Sequence, residues 1–99
     1  MFVLVMYDVE ARRTEKFRKV LARHLLHEQY SVFFGTLTGA QLVALRKALQ
    51  GLVRPGDRII EVRAENRNNI RILRHERLSE KGPARTTEDR RHLTESEVL

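Results

Sequence analysis

The sequence contains no cysteine, which excludes a disulfide framework and any Cys-ligated zinc site. That absence suits a reducing compartment. No apolar run approaches the roughly 18 residues needed to span a bilayer. The N-terminus has no charged leader region and no small-residue cleavage site. Met1 leads directly into an apolar run, so the expectation is a soluble, cytoplasmic protein that makes no membrane contact. Nothing resembles a Ser-His-Asp set, a P-loop or a dinucleotide fingerprint. His24 and His27 stand three apart, a spacing that can bind metal on a helix. No third ligand of matching type lies near them in sequence, so they are not expected to form a centre.

What is present is positive charge on a small domain. The chain has 99 residues, which suits one domain that buries ~65% of its unfolded surface. The net charge is +6, from 19 Lys+Arg against 13 Asp+Glu. Residues 1–75 hold 14 basic and 7 acidic side chains, or +7, and residues 76–99 hold 5 and 6, or −1. The positive field therefore belongs to the expected folded part. A basic domain of this size attracts phosphate polymers, with plain solubility as the alternative reading.

Phe2 to Tyr7 is apolar on both alternating faces, which predicts a strand covered on both sides. Residues 12–26 have helical period, with Phe17, Val20, Leu21, His24 and Leu25 on one face. Arg12, Lys16, Lys19 and Arg23 fall within about 60° of one another opposite that face, a basic stripe roughly 16 Å long. Gln29 to Leu37 is rich in β-formers, as one bent strand or two short ones, with Gly35 marking a bend or bulge. Thr38 to Gln41 matches a capping box. The second helix that follows turns Leu42, Leu45, Leu49 and Leu52 inward. Arg54 to Asp57 reads as a turn, Arg58 to Arg63 as a strand, and Asn69 to Arg74 as a last strand. This order predicts an α+β, ferredoxin-like βαββαβ fold with an extra C-terminal strand. Both helices would pack on one sheet face. The other face would be bare and apolar, which predicts a homodimer packed through the sheet faces. The domain is expected over residues 1–77. Residues 78–99 are expected as a charged tail, flexible or partner-docking, which could include a short helix anchored by Leu93.

Asp8 ends the first strand with Arg12 and Arg13 close behind. An acid there often caps the following helix or holds the turn. It could also bind metal, but one carboxylate is a poor site for Mg²⁺, which wants octahedral oxygen. Tyr7 points away from Asp8 by strand alternation and is expected to pack. The basic stripe suits the backbone of a duplex, which positions nucleic acid without reading sequence.

Three segments carry a resemblance: MYDVEARR, RRTEKFRKVL and, most specifically, QYSVFFGTLTGAQL. Together, over about residues 1–75, they resemble CRISPR-associated protein 2, the small dimeric member of the CRISPR adaptation machinery. The resemblance implies a ferredoxin-like homodimer and the adaptation integrase, CRISPR-associated protein 1, as partner, together with a DNA duplex. It also implies, for some members, a metal-dependent endonuclease acting on RNA or duplex DNA, and for others a scaffold. Carried onto this chain, the resemblance implies Asp8 as Mg²⁺ ligand and catalytic residue, paired with Asp8 of a second copy across a two-fold axis, and Phe33 as a further catalytic residue near the nuclease site. Arg12, Arg13, Lys16, Lys19 and Arg23 are the expected nucleic-acid contacts. Where many relatives carry arginine before the Gln-Tyr pair, this chain has His27 and Glu28, so a cation is lost and repulsion of phosphate is expected. The alternative function is a non-catalytic ferredoxin-like scaffold or a toxin-type RNase outside CRISPR.

Overall fold

A computed structural model of the chain describes residues 1–94. The apolar N-terminal run forms β1 (Phe2–Asp8). Its odd residues Val3, Val5 and Tyr7 are buried in the main core. A short 3-10 turn (Ala11–Arg13) leads into α1 (Thr14–Ala22), a shorter helix than the periodicity over 12–26 predicts. The chain leaves the helix so that Leu25 can pack on Gly35, where an added Cβ would lie 3.1 Å from Leu25 Cδ2. Gly35 therefore marks a close approach rather than a bend. The β-rich segment is two strands, β2 (Leu26–Gln29) and β3 (Val32–Thr36), and the register shift lies between His27 and Gln29.

The expected capping box opens α2 (Gly39–Leu52). Thr38 Oγ1 accepts from the Gln41 N–H at 3.2 Å, and the Thr38 N–H donates to Gln41 Oε1 at 2.9 Å. Leu42, Leu45 and Leu49 are buried as the pattern requires, and Leu52 packs at the margin. The Arg54–Asp57 turn uses Gly56 at φ 92°, a left-handed position that glycine takes without steric cost. It delivers β4 (Arg58–Ala64).

The four strands form one antiparallel sheet in the order β2-β3-β1-β4. That order, with two helices on one face, is the ferredoxin-like arrangement. Leu4, Met6, Val32, Ile60 and Val62 come together across β3, β1 and β4 in register on the opposite face. Ile60 and Val62 are 44% and 48% exposed, so this apolar face is bare over its centre, as expected.

The extra strand β5 (Ile72–Arg77) begins after a 3-10 turn (Arg67–Asn69), later than the alternation at Asn69 predicts. It does not join the main sheet. It pairs with β6 (Ala84–Asp89), from Ile72 opposite Asp89 to Arg77 opposite Ala84. The expected boundary between residues 77 and 78 therefore falls inside a hairpin. A further 3-10 turn (Arg91–Leu93) follows. His92 is buried with its ring edge-on to Phe2 at 5.5 Å, and its Nε2 lies 2.8 Å from the Ile70 carbonyl. Leu93 was the expected anchor of a short helix; in the structure, His92 is the residue that docks. The rest of the expected tail, residues 95–99, lies outside the described residues.

Charge fixes the hairpin to the sheet edge. Arg74 donates from Nε and Nη2 to Glu28 at 2.7 and 2.6 Å and from Nη2 to Asp89 at 2.9 Å. Arg91 also binds Asp89 and lies over the Phe34 ring at 5.7 Å. The hydrogen bond from Arg74 holds the Glu28 carboxyl below its ordinary pKa. Hydrogen bonds led by Arg91 hold Asp89 far below its own. The expected repulsion from Glu28 is therefore corrected: its charge is already answered by Arg74.

Candidate active site and nucleic-acid face

Asp8 stands at the end of β1 on the parity of Leu4 and Met6, so it borders the bare sheet face. It is exposed, and its carboxylate takes no hydrogen bond or ion pair from any described residue, including Arg58 opposite it in the ladder. Nor does it cap a helix. Glu10 and Arg13 occupy the two N-cap positions, and neither cap uses a side chain. This answers the structural alternative for Asp8: the acid holds no turn and no helix end. No group of three or more His, Asp or Glu side chains forms a metal cluster among the described residues. At this strand end, among the described residues, one chain therefore supplies Asp8 alone as a free carboxylate.

Beside Asp8 a cleft of about 320 Å³ is lined by Tyr7, Val9, Thr14, Glu15, Arg18, Tyr30 and Ser31. Arg18 is not free within it. Its Nε donates to Glu15 at 2.8 Å and its Nη2 also donates to Glu15. That hydrogen bond lowers the Glu15 pKa and raises that of Arg18. Tyr7 packs as expected, stacked on Phe17 at 5.4 Å, with its hydroxyl 3.5 Å from the Thr14 carbonyl. Burial pushes its pKa up, partly opposed by Arg18.

Two expected site residues take different roles. Arg13 is 6% exposed. Its Nη1 donates to both Asp57 oxygens at 2.7 and 2.8 Å, and its Nη2 donates to the Leu52 carbonyl at 2.7 Å. Its guanidinium also lies 5.6 Å from the Phe17 ring centre. It ties α1 to the α2–β4 turn and has no charge to offer a phosphate. Phe33 is fully buried, because its register opposite Val5 turns it toward the helices. It stacks on Tyr7 and on His27. Its ring supports the floor of this end of the sheet.

The remaining cations are on the surface. Arg12 is exposed but donates to Glu10 at 2.8 Å. No salt bridge among the described residues engages Lys16, Lys19 or Arg23. Arg12 precedes α1, so the helical stripe begins at Lys16 and spans about 10 Å. His24, half-buried beside this stripe, has its pKa lowered by burial and then by Arg23. It forms no metal pair with His27, whose Nε2 lies 2.7 Å from the Tyr30 carbonyl.

Sequence reasoning missed Tyr30, Arg18 and the Arg74 pairing. Tyr30 falls inside the β-rich stretch Gln29 to Leu37 and reads there as a strand residue. It is instead the turn between β2 and β3, at φ 40° and 90% exposed. The polar flanks Gln29 and Ser31 were the available signal.

Comparison with known proteins agrees with the fold. The family model for CRISPR associated protein Cas2 matches residues 1–72. A protein of Haloferax volcanii named CRISPR-associated endoribonuclease Cas2 is 46% identical over 66 residues, covering 67% of this chain and 77% of its own. A crystal structure of Cas2 superposes with a TM-score of 0.60 at 37% identity, over 63% of this chain and 71% of that one. Streptococcus pyogenes Cas2 does so with a TM-score of 0.59 at 27% identity, over 65% and 86%. The match to the family ends at Ile72, so β6 and the turn after it lie beyond it.

Proposed function

The chain belongs to the CRISPR-associated protein Cas2 family, and from that premise we propose that it is a homodimeric, metal-dependent endonuclease cutting phosphodiester bonds. We propose further that it is the duplex-binding subunit of a CRISPR spacer-acquisition complex, partnered by the adaptation integrase. The observation that carries the nuclease reading is Asp8: a partnerless carboxylate at a strand end, on the rim of a bare apolar sheet face. Burying Leu4, Met6, Val32, Ile60 and Val62 against a second copy removes apolar area from water. The same operation brings one Asp8 toward the other.

The donor chemistry suits a hard cation. Two carboxylates from two chains fit Mg²⁺, which keeps several waters and is commonly held by one or two carboxylates. Bound there, Mg²⁺ supplies a Lewis acid for a phosphate oxygen and lowers the pKa of a coordinated water. The protein's own residues do the positioning. The paired Asp8 side chains would hold the ion, and Lys16, Lys19 and Arg23 would hold the backbone of the substrate. A monomer has half the site and should not cleave.

The scaffold reading keeps one specific support. Arg18, the one cation among the described residues that line the cleft, is committed to Glu15, so it is not free to meet a phosphate in the transition state. The deciding experiment is cleavage of labelled single-stranded RNA and duplex DNA, with Mg²⁺ or EDTA, by wild type and Asp8→Asn. Cleavage lost with EDTA and with the substitution supports the nuclease. Absence of cleavage by the intact dimer sinks it and leaves the scaffold.

A further inference from the structure

We infer that the cleft beside Asp8 is a nucleobase subsite, with Tyr30 as its stacking platform, so that the strand entering the site is unpaired there. This rests on the nuclease reading of Asp8.

The charge of the cleft decides which part of a nucleotide it takes. Its charged lining is Asp8, Glu15 and Arg18, and Arg18 is held by Glu15 through two nitrogens. Apart from Asp8, which the nuclease reading gives to the cation, the charges of the lining cancel in the Glu15–Arg18 pair, so a phosphate entering the cleft would meet no free cation among the described residues. A base would meet Thr14, Ser31 and the apolar Val9. The cleft's volume lies at the lower end of the ~300–1,000 Å³ of small-molecule sites, so it suits one small moiety. The free cations Lys16, Lys19 and Arg23 lie outside the cleft lining on α1, where they can hold backbone.

Tyr30 supplies the surface that a base requires. Its 90% exposure leaves an aromatic ring unpacked at the rim of the cleft. Its backbone at φ 40° is one that a tyrosine adopts at a cost and asparagine or glycine would adopt more readily. The turn is nevertheless held firmly. His27 Nε2 lies 2.7 Å from the Tyr30 carbonyl, and the Tyr7 N–H donates to the Ser31 carbonyl at 3.2 Å. The His27 ring is itself stacked on buried Phe33 at 4.4 Å and 12°. The backbone that carries the ring is therefore held before any ligand arrives, which reduces the backbone part of the ordering cost of binding. Stacking accepts any base, so the subsite selects unpaired strand and not sequence.

The test is fluorescence anisotropy of the full chain with a labelled short single strand, the same strand carrying one abasic position, and the matched duplex. The variants are Tyr30→Phe, which keeps the ring, and Tyr30→Asn, which removes it while tolerating the left-handed backbone. Tyr30→Asn should weaken single-strand binding roughly 5- to 150-fold. It should leave duplex binding unchanged, and Tyr30→Phe should match wild type. The abasic strand should bind wild type more weakly and lose little further with Tyr30→Asn. Unchanged single-strand affinity, or equal losses for single strand and duplex, overturns the subsite. The readout is binding, so loss of cleavage in Asp8→Asn tests the nuclease reading separately.

Discussion

Neutralising the basic stripe tests how this chain holds nucleic acid, and the structure sets the size of the effect. Five cations were expected at the interface. Arg13 is consumed by Asp57, and Arg12 leans on Glu10. Lys16, Lys19 and Arg23 remain, on one face of α1 and its C-cap. Each phosphate contact on B-DNA contributes about −0.9 to the slope of log K against log salt. The Lys16→Ala/Lys19→Ala/Arg23→Ala variant should therefore flatten that slope by about 2.7 for each chain that touches the duplex. Between roughly 50 and 200 mM salt, wild type should lose about 40-fold more affinity than the variant for each contacting chain. Arg12→Ala should shift the slope by less than about one contact, because its charge already has a partner. The assay is equilibrium binding to two duplexes of unrelated sequence across a salt series. Both should give the same slope, since backbone contacts carry no sequence information. An unchanged slope in the triple variant refutes the reasoning, and unequal slopes for the two duplexes would refute its backbone-only form.

The remaining predictions address the acid, the buried pair and the hairpin. Asp8→Asn should abolish Mg²⁺-dependent cleavage and leave duplex affinity and melting temperature close to wild type, because Asp8 has no partner to lose; a large drop in melting temperature would show a structural role. Arg13→Ala should lower the melting temperature by at least roughly 10 °C, since it removes the ion-pair partner of the buried Asp57 side chain and the side-chain donor to the Leu52 carbonyl. Arg12→Ala, at an exposed pair, should hardly move it. Glu28 and Asp89 both have depressed pKa values in the folded chain, through Arg74 and Arg91 first, respectively. Their contribution is thus complete above the ordinary values of 4.5 and 3.8 and is lost as pH falls below them. Hydrogen exchange of the β5–β6 amides should accelerate as pH drops from about 5 to 3, relative to β1 amides measured in the same samples. In Glu28→Gln/Asp89→Asn, exchange should already be fast at neutral pH and should lack this acid-dependent increase.

The parts of the fold read correctly in advance are those with local causes. A continuous apolar run forms β1, leucines at helical spacing face inward on α2, and Thr38 with Gln41 closes the capping box. These features depend on residues a few positions apart, so the sequence already contains both halves of each interaction. The fold class followed from the βαββαβ pattern, because few topologies satisfy it. Where reading failed, the missing half lay far along the chain. Nothing around Arg13 announces Asp57, 44 residues on. Nothing in the charged C-terminal stretch announces that Arg74 joins Glu28 to Asp89, or that His92 seats against Phe2. High charge read as a solvated tail, whereas the ion pairs are what dock it.

The same division runs through the site. Sequence alone determined that a carboxylate ends the core strand, that a basic helix follows, and that one sheet face is apolar and lacks a helix to cover it. Alternation and helical period decide those facts, and both are properties of the chain read in order. Only the tertiary structure decided that Asp8 is free while Arg13 is not, that Phe33 faces the helices, and that Tyr30 stands in solvent beside the cleft. Whether a charge is available or an aromatic ring is buried depends on what packs against it. That is fixed by register and by contacts between distant segments, which come into existence only when the chain has folded.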